Sequence, residues 1–143
     1  MIAVDTNILV YAHRQDSSFH RAADKQITDL AESDQIWAIP WPCLYEFLAI
    51  ATHPKIYNPP TPLEDALIQV DCWLASPRLR LIGELEGVWF SFKTLLKKGR
   101  ILGPQVHDAR IAAICLQNGV TTLLTADRDF SRIEGLELLN PLL

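Results

Sequence analysis

The chain has 143 residues, 49 % hydrophobic and 21 % charged, which suits one domain with its own core and excludes a disordered chain. Its formal net charge of −4 excludes blanket nucleic-acid binding through a basic surface; a local basic patch or metal ions remain as routes to such a ligand. No apolar run approaches the ~18 residues of a membrane span, and no basic segment precedes the apolar start, so neither a membrane span nor a secretory signal is expected.

In chain order, Ile2-Ala3-Val4 reads as a short buried strand, continuously apolar and partly β-branched. Thr6-Asn7 suits the start of a short helix carrying Ile8, Leu9, Val10 and Tyr11. Ser17-Ser18 are good caps for a second helix reaching about Ser33, with Ala23, Ile27, Leu30 and Ala31 as its buried stripe. Ile36 to Pro40 reads as a second buried strand closed by proline. Pro42 fits the first turn of the next helix, CLYEFLAIAT, which is apolar almost all round except for Glu46. Residues His53 to Pro62 hold four of the nine prolines and are expected to form a loop. Thr61 and Glu64 have the spacing of a capping box for a helix carrying Leu67, Val70, Asp71 and Trp73-Leu74.

Leu79 to Gly83 reads as a third strand. A helix from about Gly87 to Lys98, stopped by Gly99, follows it. Val106 to Asn118 is expected to be helical, burying Ile111, Ala112, Ile114 and Cys115. Thr122-Leu123-Leu124 is a fourth strand, running straight into the polar TADRD, and LELLN is a weak fifth. Strands alternating with helices point to an α/β fold, a parallel sheet with helices on both faces, in one domain over residues 1–143. Cys43, Cys72 and Cys115 are odd in number and set among apolar residues. They are expected to be reduced and buried in a cytoplasmic protein, not a disulfide framework or a zinc site.

The acids raise the functional question. In open parallel sheets the site lies at the carboxyl ends of the strands. Asp5 ends the first expected strand and Asp127 follows the fourth. Glu46 and Asp108 fall in apolar helices, where a carboxylate is costly unless it is paired or coordinates a metal. Singly, each has a plain explanation: Asp5 a helix cap, Asp108 a first-turn acid favoured by the helix dipole, Asp127 a turn residue, Glu46 half of a buried ion pair. Together they have a chemical one. Two carboxylates about 4 Å apart repel by roughly 4 kcal/mol at an effective dielectric of 20, so four converging acids need a cation. Oxygen ligands suit Mg²⁺ or Mn²⁺ rather than zinc. The reaction class that follows is metal-assisted phosphodiester hydrolysis. Asp5, Glu46, Asp108 and Asp127 would hold the ions, with Thr6, Asn7 and Thr125 orienting carboxylates or water.

These residues resemble the PIN-domain family, and within it the VapC-type ribonuclease toxins of type II toxin–antitoxin systems. The similarity runs through VDTNILVYA, WPCLYEFLAIATHPKIYNPP, HDARIAAICLQNG and LLTADRDFSRIEGLELLNPL, in order. It implies an α/β/α sandwich around a five-stranded parallel sheet, Mg²⁺- or Mn²⁺-dependent endoribonuclease activity, a homodimer and a cognate antitoxin. The family's acidic quartet falls on Asp5, Glu46, Asp108 and Asp127. Asp129 is an alternative fourth acid, otherwise read as the cap of the FSRI turn.

Lys97, Lys98 and Arg100 form the one tight basic cluster, able to hold RNA phosphates or simply to end a solvated helix. His107 is expected at the site edge or in a structural role, and Arg14 on the surface. Trp37, Trp41, Trp73, Trp89 and Phe90 are expected in the core or a subunit interface. Two other functions compete: a non-catalytic or RNA-processing binding module of the same fold, and a haloacid-dehalogenase-like phosphatase. The latter usually carries a second Asp two residues after its strand-end nucleophile, where this chain has Asn7.

Overall fold

The computed structural model describes residues 1–143. Five strands form one parallel sheet in the order β3-β2-β1-β4-β5, with β1 at Ile2–Val4, β2 at Trp37–Pro40, β3 at Leu79–Ile82, β4 at Thr122–Leu124 and β5 at Glu137–Leu139. The helices are α1 (Thr6–His13), α2 (His20–Glu32), α3 (Trp41–Ala51), α4 (Leu63–Leu74), α5 (Val88–Gly99) and α6 (Gln105–Gln117), and a 3₁₀ turn spans Arg128–Arg132. The expected α/β architecture is the one observed.

The connections decide where a site can form. From β1 the chain steps outward to β2 and β3, each time through a helix pair. It then returns through α5 and α6 to β4, on the other side of β1. Right-handed crossovers put α1 to α4 on one face and α5 and α6 on the other; α1 packs on α2 and α3, α3 on α4, and α5 on α6. The strand order therefore reverses between β1 and β4, and a crevice opens at their carboxyl ends. Ala3, Val4, Trp37, Ala38, Ile39, Leu123 and Leu124 are fully buried, as strands covered on both faces require. Fully buried Phe130 anchors the 3₁₀ turn against the core. Burial of such a ring contributes about 1.5–3 kcal/mol, which fixes the acidic loop around it.

Several local expectations are corrected. Helix α2 begins at His20, not at Ser17-Ser18: Ser17 Oγ accepts from the Phe19 N–H at 3.1 Å, closing a separate turn. Thr61 does not cap α4, whose first residue follows Pro62, because Thr61 Oγ1 is engaged by His13 and Arg14. Gly99 is not the left-handed stop of α5. Arg100 is, at φ 50°, while Gly99 ends the helix where a Cβ would lie 2.9 Å from the Arg132 carbonyl oxygen. Cys43 and Cys115 are buried and reduced, but Cys72 is exposed. Among the aromatics, Trp37 and Trp73 join the core, and Trp41, Trp89 and Phe90 are exposed on the single chain, which leaves the subunit interface as the place expected for them. No helix is long and apolar enough to cross a membrane.

Candidate active site

The end of β1 supplies the first carboxylate. Asp5 leaves the strand in extended geometry and caps α1. Its Oδ1 accepts from the Thr6 N–H at 2.8 Å and from the Cys43 thiol at 3.5 Å, and its Oδ2 accepts from the Thr125 hydroxyl at 2.7 Å. Asp5 is thus a buried acid fixed through both oxygens. Burial still raises its pKa, because the three hydrogen bonds only partly offset desolvation and the nearby Glu46 adds repulsion.

Helix α3 crosses beside it. Cys43 and Glu46, three residues apart, share a helical face, so the thiol reaches Asp5 while Glu46 Oε2 accepts from the Thr6 hydroxyl at 2.8 Å. Cys43 was expected as mere core filler; its second role was available from that spacing. Glu46 also corrects an expectation. It is exposed, on the open side of α3 with Trp41 and Tyr45, so burial is not what makes it unusual. Its bond to Thr6, the neighbour of Asp5, is.

Asp108 stands in the first turn of α6, half-buried. Its pKa is pushed up to about 7, first by desolvation and then by repulsion from Asp127, Asp5, Asp129 and Glu46. Asp127 follows β4 through Thr125 and Ala126. Its N–H donates to Thr125 Oγ1 at 3.0 Å, and its Oδ1 accepts from the Asp129 N–H at 2.8 Å. Asp127 is therefore the cap of the 3₁₀ turn, the role expected of Asp129. Asp129 is exposed, with its carboxylate on the same side as those of Asp108 and Asp127. Oxygens of Asp108, Asp127 and Asp129 all lie within 4.8 Å of one another.

The five acids thus form two tiers. Asp108, Asp127 and Asp129 converge, while buried Asp5 and exposed Glu46, each held by a hydroxyl, add their charge to the field at Asp108. No Lys or Arg pairs with any of the five. The Thr6 and Thr125 hydroxyls donate to the Glu46 and Asp5 carboxylates. Asn7 Oδ1 accepts from the Ala126 N–H at 3.3 Å and ties down the loop carrying Asp127. His107 is exposed. Lys97, Lys98 and Arg100 are exposed at the end of α5, without ion pairs. Arg14, expected on the surface, is largely enclosed at the opposite end of α1, with a side chain 11 % exposed.

Comparisons with known proteins point the same way as this geometry. The PIN domain family model matches residues 2–136. Ribonuclease VapC43 of Mycobacterium tuberculosis is 34 % identical over 142 residues, 99 % of this chain and 96 % of its own. Among solved structures, VapBC2 from Rickettsia felis, bound to a DNA fragment from its promoter, gives a TM-score of 0.70 at 27 % identity, covering 98 % of both chains. VapC20 of Mycobacterium tuberculosis, a sarcin-ricin loop cleaving toxin, gives 0.69 at 16 % identity over 96 % of this chain and 98 % of its own, a likeness of fold.

Proposed function

The chain belongs to the PIN-domain family, and from that premise we propose that it is a metal-dependent endoribonuclease, the toxin of a type II toxin–antitoxin pair. The observation that carries this reading is the group of five acids at the switch point between β1 and β4 with no cationic side chain paired to them. The donor set fits a hard divalent cation. Carboxylate oxygens from three side chains come within 4.8 Å, and desolvation followed by repulsion from the other acids pushes Asp108 up to about 7, so a cation there would relieve a charge that the protein leaves unbalanced.

Asp108, Asp127 and either Asp5 or Asp129 would hold Mg²⁺ or Mn²⁺. The ion would neutralise the phosphodiester, activate water for in-line attack on phosphorus and stabilise the leaving oxygen. The chain's own groups set the geometry. Thr125 keeps Asp5 Oδ2 in one orientation and fixes the Asp127 backbone with the same hydroxyl. Thr6 holds Glu46 at the mouth, where an exposed carboxylate is placed to accept a proton from water. Among relatives, VapC43 is named a ribonuclease and VapC20 is titled a toxin cleaving the sarcin-ricin loop. RNA is the substrate class we assign here, with a cognate antitoxin as partner, a homodimer as the assembly and the cytoplasm as the setting.

The test is cleavage of a structured RNA mixture by the purified protein in Mg²⁺, in Mn²⁺ and in EDTA, beside Glu46→Gln. Cuts that need the metal and are lost in the variant are expected. The absence of cuts in either metal would overturn the hydrolytic reading and favour a binding module of the same fold.

A further inference from the structure

A second feature adjoins the acids. Between the 3₁₀ turn and the carboxyl end of β5 lies a cleft of about 420 Å³, within the size range of small-ligand sites. Thr125 and Asp127 belong to both features, so the cleft opens directly off the acidic cluster. Its lining has the opposite character. Arg128 stands between Asp127 and Asp129 in the chain yet pairs with neither and makes no side-chain hydrogen bond, and it lines the cleft. Asn140 commits its Oδ1 to the Leu142 N–H at 3.0 Å, which leaves its amide Nδ2 without a partner. The Ser131 hydroxyl has no partner either. The free groups are thus a guanidinium, an amide and a hydroxyl, with apolar Ala126 and Leu138 beside them.

Resting on the nuclease reading, we propose that this cleft is the subsite for the nucleotide adjoining the scissile phosphate, with Arg128 on its phosphate and Asn140 and Ser131 donating to its sugar or base. A guanidinium and an amide N–H₂, beside a hydroxyl that can donate or accept, suit an anionic, acceptor-rich ligand, and the apolar wall suits the face of a base or ribose. An acidic cluster also repels RNA, so a guanidinium one residue from Asp127 supplies attraction where approach is least favourable. Arg128 is then a positioning residue, one that affects how tightly RNA is held and not how fast a held bond breaks.

Two readouts test this separately from the chemistry. In the first, nucleoside 5′-monophosphates and inorganic phosphate are titrated in EDTA into ¹⁵N-labelled protein while the Ser131 and Asn140 amides are followed. Saturable shifts are expected with the nucleotides, smaller ones with phosphate, and loss of both in Arg128→Gln. Asn140→Asp keeps the Leu142 tie but replaces the donor with an acid, and should weaken nucleotide binding without unfolding. In the second, Arg128→Gln is expected to raise KM for RNA about ten-fold with kcat within about two-fold, and Arg128→Lys to recover most of the loss. Nucleotides that leave those amides unmoved, while the wild type cleaves RNA, would overturn the subsite and spare the nuclease. Shifts without any cleavage would leave a nucleotide-binding cleft but overturn the hydrolytic reading and, with it, the role beside a scissile phosphate.

Discussion

Both ends of α1 carry a polar network, and the two networks are built differently. At its carboxyl end His13 bonds Gln69 through Nδ1 and Thr61 through Nε2, at 3.0 and 3.1 Å. Arg14 forms a two-pronged pair with Asp16, donates to the Pro59 carbonyl and to Thr61, and lies 4.3 Å from the centre of the Tyr57 ring. A cleft of about 370 Å³ opens there as well, but its one guanidinium, Arg14, is already paired with Asp16. The hydrogen bond from Asp16 raises the guanidinium's pKa further, and Arg14 in turn holds the Asp16 carboxyl below its usual range. At the amino end of α1 every hydrogen bond around Asp5 is made, yet five acids face one another without a cation. A network built on a paired guanidinium ties the Pro-rich loop to the helix. A network complete in hydrogen bonds but not in charge is a place prepared for something else.

The largest expected effect at the uncompensated end is that of Asp5→Asn. It should lower RNA cleavage by about 10²-fold or more, with circular dichroism unchanged; wild-type cleavage would remove Asp5 from the site. A matched pair of threonines sharpens the contrast. Thr125→Val removes the hydroxyl that orients Asp5 and Asp127, and should cost about 10–100-fold in activity. Thr61→Val leaves His13 and Arg14 short of a partner, so it should cost about 1–3 kcal/mol of stability with activity nearly intact. Equal effects of the two on cleavage would erase the distinction between the ends.

Smaller effects concern charge. Millimolar Mg²⁺ or Mn²⁺ should raise Tm by several degrees, since a ligand at about ten times its Kd contributes roughly 1.4 kcal/mol. Asp108→Asn should abolish most of that shift, while Asp65→Asn, in the cleft beside Arg14, should leave it intact. In EDTA the sign for Asp108 is set by its raised pKa. A carboxyl that binds its proton more tightly folded than unfolded contributes stability that is complete below about pH 3.8 and is lost as the pH rises to about 7. Metal-free protein should therefore lose stability over that range, and Asp108→Asn should melt a few degrees higher than the wild type at pH 8 and no higher near pH 4. A fall in stability in the variant at pH 8 would mean that the Asp108 carboxylate is already compensated.

Much of this was legible in the amino-acid order. Short strands show as continuous apolar runs because both faces are covered, and Asp5 was conspicuous because such a strand ends on it. The gaps share a cause: a side chain's partners lie far away in the chain. Thr61 carries a capping signature, but its hydroxyl is claimed by His13 and Arg14, 48 and 47 residues earlier. In the TADRD stretch buried Phe130 sets the turn, so that Asp127 caps it while also facing Asp108, and Asp129 joins them. Glu46 looked buried because its helix is apolar, whereas α3 leaves one side open. Arg128 carries no signal of its own in the sequence, because its lack of a partner among the flanking acids is visible only in the fold.

The most direct measurement is an anomalous difference map from crystals soaked in Mn²⁺. A peak held by Asp108 and Asp127, with Asp5 or Asp129 completing the set, is the predicted result. A peak at Asp16 or Asp65, or none among the five acids, would contradict the claim that the amino end of α1 is where this protein works.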